Sequence, residues 1–146
     1  MLYASIDNLI ALCGLEELVQ LSDRADPPAG ALDEAVVTKA LEDATAEIDG
    51  YVGAQYKLPL ASTPKILNGL ACDIARYRLY TAQVTDSVRR RYEDAVKTLT
   101  NIAKGVIALP VEASGAGGPA EPAGRDDVMV IESEDRLFTR TAMRGL

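Results

Sequence analysis

Residues 67–80, LNGLACDIARYRLY, constrain the fold more than any other stretch, because they set a carboxylate and two arginines into an otherwise apolar helix. Leu67, Leu70, Ala71, Ile74 and then Tyr77 or Arg78 recur at helical spacing, which predicts a buried stripe from about Pro64 to Ala82. A helix so apolar belongs at the centre of a bundle. Charges held there need partners. Asp73, Arg76 and Tyr77 stand three and four residues apart, so the acid can take an ion pair and a phenolic hydrogen bond within the helix. Alternatively, Arg76 or Arg78 reaches an acidic residue of the preceding long helix and fixes the bundle register or a subunit contact.

The other helices are read from caps and periodicity. Ser5 caps a short helix that Gly14 stops after Cys13. A second brief one follows, with Leu15, Leu18, Val19 and Leu21 on one side, until Asp26-Pro27-Pro28-Ala29-Gly30 breaks the chain in an exposed loop. From Asp33 to Val52 the residues Val37, Ala40, Leu41, Ala44, Ile48, Tyr51 and Val52 form an amphipathic stripe, with Glu42, Asp43, Glu47 and Asp49 mostly elsewhere. Gln55 to Leu60 reads as an extended connection whose leucines pack, and Thr63 before Pro64 restarts helix as cap and first residue. A last helix, capped by Thr85 or Asp86, carries Val88, Tyr92, Ala95, Val96, Leu99, Ile102, Ala103 and Val106 over about 30 Å, and Gly105 and Pro110 mark its end.

These elements predict an all-α fold, a small bundle of about four helices in residues 1–112. Residues 113–126, ASGAGGPAEPAGRD, offer almost nothing to bury and read as a flexible linker. Residues 127–146 form an extended interaction tail, in which Val128 to Ile131 and Leu137 to Thr139 flank Ser133-Glu134-Asp135 as a short hairpin. An isolated hairpin is marginal in water, so the tail is expected to order on a partner or a neighbouring subunit through Arg136, Phe138 and Arg140.

Apolar content of 48% in 146 residues suffices for one core without a covalent staple. Cys13 and Cys72 have no metal-ligand spacing and read as reduced thiols. No window approaches the roughly 20 apolar residues of a membrane span, and the start MLYASIDNL lacks a basic leader, so a soluble, unexported protein is expected.

The net charge of −7 argues against general nucleic-acid binding, and its distribution says more. Residues 1–56 hold 11 acidic and 2 basic side chains, whereas residues 57–112 hold 5 acidic and 9 basic. This polarity can be satisfied within one fold or between neighbouring copies in a head-to-tail ring. Arg89-Arg90-Arg91 sits in the first turns of the last helix, where the helix dipole disfavours cations. The run is a solvated face balanced by Glu93 and Asp94, a contact for an acidic partner, or, less readily, a DNA contact.

Chemistry finds few parts. The chain has no histidine, which removes the commonest general base near neutral pH and the commonest nitrogen ligand. The glycines at 115, 117 and 118 lack the strand, helix, lysine and hydroxyl of a phosphate loop. Glu16-Glu17, Asp33-Glu34 and Glu42-Asp43 fall on helices, where consecutive residues diverge by about 100°, so solvated faces are expected rather than a metal site. Cys72 beside Asp73 reads as a small buried apolar residue. No catalytic residue, cofactor or metal is expected.

Five blocks together, YASIDNLIALCGLEELVQLSDR, ALEDATAEIDGYVGAQYKLPL, LACDIARYRLY, RRYEDAVKTLTNIAKGVIAL and RLFTRTAMRGL, resemble the Mu-like phage and prophage family of small head-tail adaptor proteins. That resemblance implies a structural, non-enzymatic virion protein: a head-tail connector forming a ring of about twelve copies below the portal. Portal and tail-side neck proteins are then its partners, and DNA passes through the channel without specific binding. The same family places it in the neck of the virion, and in the host cytoplasm during assembly. The competing reading is a small helical regulatory or nucleic-acid-binding adaptor that uses Arg89 to Arg91.

Overall fold

The computed structural model describes residues 1–111, which form five helices: α1 (Ile6–Cys13), α2 (Leu15–Ser22), α3 (Glu34–Val52), α4 (Lys65–Leu79) and α5 (Asp86–Ala103). No strand occurs among the described residues, and the class is all-α as expected. The linker expected at 113–126 and the hairpin tail with Arg136, Phe138 and Arg140 lie outside the described residues.

Local chemistry sets several of the helix ends. The Ser5 side chain accepts from the Asn8 amide, and Asn8 Oδ1 accepts from the Ser5 amide in return, closing a reciprocal cap on α1. Gly14, at φ +88°, takes a backbone conformation that other residues rarely adopt, and it lets α2 start at once in a new direction. Asp33 Oδ1 accepts from the Ala35 and Val36 amides and opens α3. At the far end a Cβ on Gly53 would lie 2.9 Å from the Asp49 carbonyl oxygen, so only glycine allows that close turn.

The core forms where α3, α4 and α5 meet, with α3 against α4 the most extensive contact and α1 and α2 laid across them. Ile48, Val52, Leu67, Ile74, Leu79, Leu99 and Ile102 are fully buried. Each such side chain contributes about 1.5–3 kcal/mol by leaving water. Helix α4 is the hub, with seven of its fifteen residues buried, including Cys72 and Ala75. Tyr56 anchors the connection after α3, because its hydroxyl accepts from the Leu109 amide at 2.7 Å.

Several local expectations change. Pro64 is the N-cap of α4 and Thr63 lies outside it, with no side-chain cap bond, because the proline backbone is extended at ψ 140°. That helix stops at Leu79 rather than near Ala82, since Tyr80 turns extended and carries its hydroxyl to α2. Leu15 is 51% exposed on the first turn of α2, and Val106 is 72% exposed, because Gly105 at φ +75° reverses the chain before it. Leu60 packs in the core while Leu58 stays largely outside it.

Candidate functional site

The charges in the apolar 67–80 stretch all leave their own helix. Arg76 donates from Nε and Nη2 to the two carboxylate oxygens of Glu17 at 2.8 and 2.9 Å, a bidentate fork between α4 and α2. The Tyr80 hydroxyl donates to the same Glu17 at 3.1 Å. Burial alone pulls the Arg76 guanidinium down, but the Glu17 carboxylate outweighs it and holds it above its ordinary value. Tyr80 is raised by burial first and by Glu17 second.

A second carboxylate repeats the pattern one helix away. Glu47 of α3 accepts from Arg78 of α4 and, at 3.0 Å, from the Tyr92 hydroxyl of α5. Its bond holds the Arg78 guanidinium above its ordinary value even though burial opposes this. Tyr92 is raised by burial and then by Glu47, and its ring stacks on Tyr77 with centroids 4.1 Å apart and planes 8° from parallel. Asp73 accepts from Arg91 of α5 at 2.8 Å.

The expected contact set of Asp73, Arg76 and Tyr77 is therefore corrected. Asp73 and Tyr77 turn to α5, at Arg91 and Tyr92, and Arg76 turns to Glu17 of α2, because a partner on another helix satisfies each charge and fixes packing at once. The alternative expectation holds for Arg78, which does reach the preceding long helix at Glu47. Sequence reasoning missed Glu17 and Glu47 as receivers. Their only signal is position: each immediately precedes a buried residue, Leu18 and Ile48, at the edge of its helix's apolar stripe.

The arginine run divides. Arg89 pairs with Asp86 at 2.7 Å and approaches Glu93 at 4.0 Å, both within α5. Arg91 is the partner of Asp73. Arg90 is exposed and has no ion pair among the described residues. The charge halves of the sequence thus meet inside the fold at Glu17–Arg76 and Glu47–Arg78, which leaves the rest of the acidic excess on the surface.

At the N-terminus, the Tyr3 hydroxyl donates to Asp49, and Asn68 of α4 donates to the Tyr3 carbonyl at 3.1 Å. The Tyr3 phenol lies well above its usual range through burial first and Asp49 second. Both cysteines are free thiols. Cys72, 4% exposed, is pushed up to about 11 by burial first, then by the neighbouring Asp73 and Cys13, so its thiol is protonated and packs as an apolar group near neutral pH. Among the described residues no group of three or more cysteine, aspartate or glutamate side chains could hold a metal ion, and no helix is long and apolar enough to cross a membrane.

Comparison with known proteins fits this helical body to a family. The family described as Bacteriophage Mu, Gp36 matches residues 3–128. The Mu-like prophage FluMu protein gp36 of Haemophilus influenzae is 37% identical over 144 residues, covering 99% of this chain and 97% of that protein. Gene product J of Escherichia phage Mu is 34% identical over 138 residues, covering 94% of each.

Proposed function

Because the chain belongs to the bacteriophage Mu Gp36 family, a family of phage and prophage proteins, we propose that it is a structural, non-catalytic protein of the virion neck. In this reading it is a head-tail connector that forms a ring below the portal and joins the DNA-filled head to the tail. Its partners are further copies of itself, the portal protein and a tail-side neck protein.

The observation that carries the reading is the unequal use of charge. The arginines of α4 are matched to carboxylates of the same chain, whereas Arg90 on α5 and most of the acidic excess of residues 1–56 face outward. An outward acidic excess together with an exposed arginine on α5 that has no ion pair among the described residues suits a heterologous contact repeated around a ring. Engagement of Arg89 and Arg91 by acids of the same chain supports this reading over a DNA-binding one, which needs clustered free cations. An acidic inner wall would let DNA slide by like-charge repulsion.

Deleting the reading frame from the parent prophage and imaging the induced lysate by electron microscopy tests the proposal. Separate heads and finished tails are expected. Intact joined particles would overturn it.

A further inference from the structure

We propose that, in the unassembled protein, the acidic segment Glu132–Asp135 of this chain docks in a cationic cleft on its own helical body. The cleft, about 420 Å³, lies between the loop after α2, the first half of α3 and the last turn of α4. Arg24, Lys39 and Arg78 line it, with one acid, Asp43, and the apolar floor of Val36 and Leu79. Arg24 and Lys39 are the only two cations in residues 1–56, which otherwise hold 11 acids. Both face one cleft, and the third cation comes from the basic half of the chain.

The internal partners leave charge to be met. Lys39 pairs with Asp43 at 2.6 Å, yet its side chain is 68% exposed; Arg78 pairs with Glu47 and remains 40% exposed. Arg24 is exposed and has no ion pair among the described residues. Asp43 and Glu47 each hold one of these cations, so one net positive charge centred on Arg24 remains beside two partly exposed cations, which suits a segment carrying carboxylates with an apolar side chain beside them for the half-buried Val36.

The chain supplies such a segment. Residues 130–138, VIESEDRLF, place Glu132, Glu134 and Asp135 within four positions, flanked by Val130 and Ile131 before and Leu137 and Phe138 after. The described body ends at Val111, and the residues from there to Glu132 span at most about 70 Å when extended. A body of this length has a radius of gyration of about 13 Å, so the tether reaches any point of its surface. Tethering also raises the local concentration of the segment to the millimolar range, enough for contacts that are individually weak. Docking would keep the tail covered until another binding surface competes for it. The inference stands independently of the connector reading, since it concerns the free chain alone.

Phe138 is the only phenylalanine, so growth with 4-fluorophenylalanine gives the full chain one fluorine resonance, three residues from Asp135. It is compared with the same label in a synthetic peptide of residues 127–146. At about 50 mM salt the two resonances are expected to differ, and at about 0.5 M the difference should collapse as screening shortens the reach of the charges. Arg24→Glu should remove half or more of the difference, and Glu134→Arg in that background should restore it. Glu132→Gln with Glu134→Gln, which leaves the helical body untouched, should cause the same loss when compared with a peptide so altered. Coincident resonances at low salt, a difference that survives Arg24→Glu, or a double charge swap that restores nothing would overturn the proposal. So would a difference that vanishes on hundredfold dilution, which would give the cleft to a second copy, or one that appears only with added duplex DNA.

Discussion

Helices α4 and α5 lie side by side and both carry arginines, yet they direct them differently. On α4, Asp73, Arg76 and Arg78 each bond to another helix, with 16%, 17% and 40% of their side chains exposed. On α5, Arg89 and Lys97 pair along their own helix and Arg90 with nothing described, while Arg91 alone crosses over. Burial decides the difference. A charge close to the core must be matched and so becomes a register pin between helices, whereas an exposed pair contributes about 0–1 kcal/mol and leaves its residues open to a partner.

The contrast predicts a graded series of effects. Ile74→Ala, in the fully buried stripe of α4, should cost about 2–5 kcal/mol in urea denaturation; a loss below about 1 would mean α4 is not the hub. Glu17→Ala leaves the Arg76 guanidinium and the Tyr80 hydroxyl without their acceptor and should cost about 1–3 kcal/mol, with Glu17→Gln milder. If Glu17→Ala costs no more than Glu93→Ala on α5, the distinction between pins and surface pairs fails.

Alkaline pH sharpens the same comparison. The folded Cys72 thiol titrates at about 11 against 9.0 ordinarily, so its contribution is full below 9 and is lost as pH rises through 11. The stability advantage of wild type over Cys72→Ala should shrink by up to about 2–3 kcal/mol between pH 8 and 11. An advantage that stays constant over that range would show that Cys72 is not shielded as α4 packing requires. Smallest of all, Arg90→Glu should leave stability within about 0.5 kcal/mol, read from the same urea transitions.

Much of this was legible in the sequence because it rests on periodicity and caps. Ser5, Gly14 and Asp33 mark their helix ends by local chemistry, and Val37 to Val52 and Val88 to Ile102 reveal their buried faces by spacing. Charge partners were not legible in the same way. Arg76 has Asp73 three residues away, and nothing local tells it to prefer Glu17, which lies 59 residues off and is brought near only by the fold. The exposure of Val106 depends likewise on a reversal at Gly105 that helical spacing does not register. Tertiary geometry selects among locally reasonable partners, so the candidate surface, which is what remains after internal pairing, emerges only with the fold.

The most direct test of the account is complementation of the deleted prophage with Arg90→Glu, counting joined particles by electron microscopy. An Arg90→Glu protein as stable as wild type is expected, yet with a fall of about tenfold in joined particles and free heads and tails accumulating. Joined particles at the wild-type frequency would contradict the claim that the outward face of α5 serves assembly.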